Sequence, residues 1–141
     1  MRWQWRVALL VSLAWLLLFG GAAWAAVTDA DVAALRRQAD TGVRDYRKNL
    51  IDAVHRLTPD EAPARILDVI ILFCDYRYAE GGSESALPAA EAAARLAQAI
   101  ADRSRLASLE ALAGQMQFAL HRDNASRARM ERALQMQRSA G

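Results

Sequence analysis

The sequence predicts an all-α fold, with antiparallel helix pairs stacked as a short solenoid of about six helices after an N-terminal leader. Two observations carry this. Alanine, leucine and arginine dominate the 141 residues, while Gly (7) and Pro (3) are few, a composition that favours helix throughout. A triplet of small residues also recurs. Cys74, Ala86 and Ala93 are followed 40 positions on by Gly114, Ser126 and Ala133, each triplet with internal steps of 12 and 7. Such spacing suits two antiparallel helices joined by a tight turn. Small side chains at the crossing let the axes approach, because interaxial distance follows the residues at the contact.

Residues 1–25 read as a signal peptide. Arg2 and Arg6 form a basic start, Val7 to Phe19 an apolar run, and Gly20-Gly21 breaks it before Ala23-Trp24-Ala25. That last triplet is an A-x-A-like site whose cleavage leaves Ala26 as the new terminus. The apolar run is short for a membrane span of ~20 residues. Counted through Val27 it lengthens, so an uncleaved anchor in the inner membrane, facing the periplasm, is the alternative to a periplasmic or secreted chain. Basic residues hold the first end in the cytoplasm either way. Without Arg2 and Arg6 the 18 basic residues fall to 16, equal to the 16 acidic ones, so the basic balance of the whole chain belongs to the leader. A neutral remainder with mixed signs offers no stripe for phosphates, and nucleic acid is excluded as a partner.

Along the remainder, residues 26–60 read as a degenerate helix pair and residues 61–141 as two repeats. Asp29 to Asp40 is a short helix whose Asp29 and Asp31 suit its first turn. Thr41-Gly42 breaks it. Val43, Tyr46, Leu50, Val54 and Leu57 then mark one face of a helix. Thr58-Pro59-Asp60-Glu61 has the form of a capping box, with regular helix expected from about Ala62. Ile66 to Phe73 is almost continuously apolar, which implies neighbours on more than one side. Gly81-Gly82 ends that helix. Ser83 or Ser85 is the expected cap of the next, which carries Pro88 near its start and reaches about Ala101. Asp102 to Ser104 turns into a helix over Leu106–His121. Arg122-Asp123-Asn124 connects it to a last helix, Ala125 to Arg138.

These pairs resemble the tetratricopeptide repeat family, whose 34-residue unit has small residues at places eight, twenty and twenty-seven. Gly114, Ser126 and Ala133 match those places, followed by "ERALQMQ"; Cys74, Ala86 and Ala93 match them in the preceding unit. The period here is 40, for which a longer turn between units is the expected source. Ile70 and Glu110 stand where the family has a large aromatic residue. One further step back, Ala34, Tyr46 and Ala53 include a Tyr at a small place. With a leader in front, the arrangement is similar to the periplasmic sensor regions of membrane signalling proteins, especially diguanylate cyclases with a GGDEF output domain. No output domain is present in this sequence. The resemblance implies an exported interaction or sensory module for a peptide or protein; a free-standing periplasmic adaptor or chaperone-like protein is the alternative.

No catalytic arrangement is legible, so no enzyme activity and no cofactor are expected. Cys74 sits in an apolar helix where the register asks for a small residue, which favours packing over reactivity. His55 and His121 have no Cys or carboxylate at metal-ligand spacing. The carboxylates Asp60, Glu61, Asp68, Asp75 and Glu80 read as solvated or capping groups. Arg127, Arg129, Arg132 and Arg138 read as a solvated outer face of the last helix, which also leaves Leu134 and Met136 without a neighbour and so invites self-association. The resemblance further implies a groove lined by the first helix of each pair, at places two, five, nine and twelve. Those places hold Asp68, Ile71, Asp75 and Tyr78, then Ser108, Ala111, Gln115 and Phe118. Both rows run polar, apolar, polar, aromatic, unless Tyr78 and Phe118 instead pack between units.

Overall fold

The structure, a computed structural model, describes residues 26–140. The leader features from Met1 to Ala25 lie outside the described residues. Six helices follow in order: α1 (Asp29–Thr41), α2 (Tyr46–Arg56), α3 (Pro63–Ala79), α4 (Ser83–Ala99), α5 (Arg103–Ala119) and α6 (Asp123–Arg138). Among the described residues there is no strand.

Local chemistry sets each boundary. Thr28 caps α1 reciprocally: its Oγ1 accepts the Asp31 N–H at 3.1 Å, and the Asp31 carboxylate accepts the Thr28 N–H at 2.9 Å. The backbone bond from Thr28 is the main reason the Asp31 carboxyl titrates below the usual carboxylate range. Gly42 ends α1 in the left-handed region (φ 65°), and the Val43 N–H closes onto Gln38 O at 3.3 Å. Val43 therefore belongs to the end of α1, and α2 begins at Tyr46 rather than Val43. The expected capping box at Thr58–Glu61 is a turn instead, in which the Glu61 N–H donates to Thr58 O at 3.2 Å. Glu61 reaches away from Thr58 to the Val27 N–H, 34 residues back. Pro63 takes the first position of α3, where its missing N–H costs nothing.

From α3 onward the chain is metrical. α3, α4 and α5 each have 17 residues and α6 has 16, and their starts fall at 63, 83, 103 and 123. Every turn between them has three residues, so the 40-residue period comes from long helices and not from a longer turn between units. The three turns share one backbone geometry. Gly81, Ala101 and His121 are left-handed (φ 77°, 57° and 58°). The next residue donates back over the helix end: Gly82 to Arg77 O at 2.7 Å, Asp102 to Ala97 O at 2.9 Å, Arg122 to Gln117 O at 2.8 Å. This closes the last free carbonyls of each helix in the same way. Gly82, not Ser83 or Ser85, precedes α4 as its cap, and Ser85 Oγ donates to Gly82 O at 3.0 Å. α5 and α6 start slightly earlier than the sequence pattern implied, at Arg103 and Asp123.

Each helix packs on the next, and the first helices of successive pairs also touch, α1 on α3 and α3 on α5. The second helices α2, α4 and α6 do not touch one another. Close inner helices and separated outer ones put α1, α3 and α5 on the inner side of a curved stack. The register residues sit where helices cross. Cys74 is fully buried with its Sγ 3.9 Å from Ala86 O, and a Cβ on Gly114 would lie 3.3 Å from Ser126 O. α4 is covered on both sides through its alanines. Ala86 and Ala90 pack with Cys74, Leu112, Ala113 and Met116, while Ala93, Ala94 and Ala97 pack with Leu67 and Leu109. Leu50, Ala53, Val27, Val32, Leu35 and Val69 form the core of the N-terminal pair. Tyr46, the bulky residue in the small register, stands edge-on to Tyr76 of α3, with ring centroids 5.8 Å apart.

Candidate functional site

The two rows on the inner helices follow from helix geometry. Residues 68, 71, 75 and 78 of α3 recur at steps of three and four and so share one face, as do 108, 111, 115 and 118 of α5. Because α3 packs on α5, the rows run side by side, about 8–10 Å apart by ordinary helix packing.

Their members differ in what they offer. Asp68 is engaged. Its Oδ1 accepts Arg105 Nε at 2.9 Å and Arg36 Nη2 at 2.8 Å, and its Oδ2 accepts Arg105 Nη2 at 3.0 Å. With 14% of its side chain exposed it ties α1, α3 and α5 together, and the expectation of a solvated carboxylate does not hold for it. Asp75 is exposed, and its charge helps to raise the Tyr46 phenol to about 12, after burial as the main cause. Tyr78 is partly buried against the cluster around Cys74 and Met116. Ser108 is exposed and donates to Ser104 O at 3.3 Å, and Gln115 is half-buried. Phe118 is 65% exposed, so it does not pack between units as Tyr78 partly does.

Charge is used mostly for holding the stack. Arg129 of α6 donates from Nη2 to Glu91 at 2.9 Å and from Nη1 to Glu110 at 3.3 Å, linking α4, α5 and α6. Glu110, 5% exposed, thus fills with an ion pair the place where the resembling family has an aromatic ring. Arg129 is 19% exposed and leaves the expected solvated face, to which Arg127, Arg132 and Arg138 still belong. Sequence reasoning missed Arg36, Arg105, Glu91, Glu110 and Arg129 as a group. A signal was available: Arg65 and Arg105 are 40 apart at the start of α3 and α5, and Asp29 and Asp68 are 39 apart. Arg65 binds Asp29 through one bond at 3.0 Å, and Arg105 binds Asp68 through two, so each of these arginines reaches an aspartate of the preceding first helix.

Cys74 is not poised as a nucleophile. Burial, helped by the Asp75 charge, pushes the Cys74 thiol up to about 12, which leaves it protonated at neutral pH. No group of His, Cys, Asp and Glu among the described residues is placed to hold a metal ion. No helix among them is long and apolar enough to cross a membrane.

Two large apolar side chains stand exposed on the last helix, among its charged and polar ones. Met130 and Leu134 of α6 are 40% and 50% exposed. Forty residues earlier, Ala90 and Ala94 occupy the equivalent places and are covered by α5. No protein family, curated protein or solved structure matches this chain.

Proposed function

We propose that this chain is an exported helical-repeat module that binds a protein or peptide, of the kind that senses ligands for a membrane signalling protein. The single observation behind this reading is Phe118, an aromatic ring 65% exposed on the inner row of α5. A large apolar side chain gains by being covered, and a ring loses little conformational freedom when a partner covers it. Around it the row supplies Gln115, Ser108 and Ala111, and the parallel row supplies Asp75, Ile71 and Tyr78. Alternating apolar and polar places suit an extended peptide, whose side chains alternate in the same manner. Asp68 is left out of this surface, because its oxygens already serve Arg36 and Arg105.

Panning a library of random 12-residue peptides on the immobilised protein tests the reading. Enriched sequences should lose binding to the Phe118→Ala variant at least tenfold, while its unfolding midpoint stays at the wild-type value. Enriched peptides that bind Phe118→Ala undiminished would remove the inner row as the site. Tyr78→Ala is the poorer probe, since its partial burial makes it destabilising as well.

A second reading, a free-standing adaptor that self-associates, is favoured by the exposed Met130 and Leu134. Sedimentation equilibrium then gives a dimer for the wild type and a monomer for Leu134→Glu. A wild-type monomer at every concentration removes it.

A further inference from the structure

We propose that Glu61 is the receptor for the α-ammonium group that cleavage after Ala25 creates at Ala26, so that removal of the leader locks the N-terminal helix pair. The inference rests on the reading of residues 1–25 as a cleaved leader. Glu61 lies in the turn before α3 and is 7% exposed. Its Oε1 accepts the Val27 N–H at 3.1 Å. Its Oε2 is buried and has no hydrogen-bond partner. A buried carboxylate with an unserved oxygen is a site waiting for a donor, since carboxylates are acceptor-only and are stabilised by charged donors.

The position of that donor is fixed by the chain itself. Val27 is fully buried and packs with Val32, Leu35, Leu50, Ala53 and Val69, which pins the start of the described chain beside Glu61. The Ala26 nitrogen is the next backbone nitrogen, about 3 Å from that of Val27 by covalent geometry. Arg65, four residues beyond Glu61 and within reach of its charge, is turned to Asp29 at 3.0 Å instead. In the precursor the Ala26 nitrogen is an amide with a single N–H and no charge. A leader peptidase adds water across the Ala25–Ala26 bond; Ala25 leaves as a carboxylate, and the Ala26 nitrogen becomes –NH3⁺. Three donors and a positive charge then stand within reach of Oε2. The bond already made by Val27 holds the carboxylate in place for this.

Lys48 is the sole lysine, so the processed chain carries two amines and each can be followed separately. The full-length chain is exported, purified and weighed intact, and trace acetylation near pH 8 is then read at Ala26 and Lys48. The expected mass begins at Ala26. The Ala26 amine should acetylate about tenfold more slowly than in Glu61→Gln, the equivalent of one unit of pKa, with Lys48 unchanged. Hydrogen exchange of the Val27 amide gives a second readout that leaves Glu61 intact: blocking the Ala26 amine should speed it at least tenfold. A mass that retains the leader, or begins elsewhere, overturns both the leader reading and the lock. A chain beginning at Ala26 with equal acetylation in both proteins, or with Val27 exchange indifferent to blocking, overturns the lock alone.

Discussion

Asp68 accepts both forked N–H groups of Arg105, at 2.9 and 3.0 Å, across 37 residues of sequence. A bidentate carboxylate–guanidinium pair is directional as well as strong, so it sets the angle between α3 and α5 along with their contact. The Asp68 bond is also the main reason the Arg105 guanidinium is raised above its ordinary value. Arg36 joins the same carboxylate from α1 but is 55% exposed, and exposed pairs contribute little. Asp68→Ala should therefore cost about 2 kcal/mol in urea unfolding. Arg36→Ala should cost less than about 0.5 kcal/mol. Arg105→Lys should recover under half of the Asp68–Arg105 coupling in a double-mutant cycle, because an ammonium cannot fork. Equal, small losses for Asp68→Ala and Arg36→Ala would show that the pair does not couple the units.

The three helix ends permit an internal comparison. Ala101 and His121 hold the same left-handed backbone as Gly81, and a side chain there is strained by about 1 kcal/mol. Nothing lies within 4 Å of a Cβ built on Gly81, so backbone strain alone separates Gly from Ala at this position. Gly81→Ala should lower stability by about 1 kcal/mol, and Ala101→Gly should raise it by about 0.5 kcal/mol. The measurement is the midpoint of thermal unfolding for the two variants. A fall with Ala101→Gly would show that chain entropy outweighs the relief of strain.

The all-α class and the register of small residues were legible because both rest on backbone packing, which a few side chains report faithfully. Cys74 over Ala86 and Gly114 over Ser126 are seen in the structure as the spacing implied. Helix starts were less legible. Val43 has an apolar side chain in phase with α2, yet its N–H closes α1. Thr58 and Glu61 have the spacing of a cap, but Glu61 finds Val27 from the other end of the pair. Asp68 was misjudged for a related reason: its partners are 32 and 37 residues away, and no local rule reaches that far.

Gly114 and the end of α6 show how size is matched to burial. A Cβ at residue 114 would come within 2.8 Å of Met130 Cγ and 3.3 Å of Ser126 O. Met130 can yield; the backbone oxygen yields less. Gly114→Ala should cost about 1–2 kcal/mol through overpacking. Ala94→Leu, which writes the residue of position 134 into its covered counterpart, should cost about 2 kcal/mol. Leu134→Ala should change stability by less than about 0.5 kcal/mol in the monomer. Unfolding in urea at low protein concentration checks all three. A large loss for Leu134→Ala under those conditions would mean that the end of α6 is covered.

Acid should loosen the junction between α4 and α5 through Asp102. Its carboxylate accepts the Arg105 N–H at 3.1 Å and Arg105 Nη1 at 2.7 Å, and these bonds, the backbone one foremost, hold it below the ordinary value of 3.8. A carboxyl whose pKa is lower in the folded state binds fewer protons there than in the unfolded chain. Its contribution is complete above about pH 4 and disappears as the pH falls through the lowered folded-state value. Asp102→Asn should therefore be less stable than the wild type near pH 7, with the gap narrowing as the pH falls below about 4. Asp31→Asn should behave in the same way at the start of α1, where the Thr28 N–H is the main cause. Urea unfolding at several values between about pH 2 and pH 7 gives the two curves. Parallel curves for wild type and Asp102→Asn would show that the loss comes from packing of the side chain rather than from its charge.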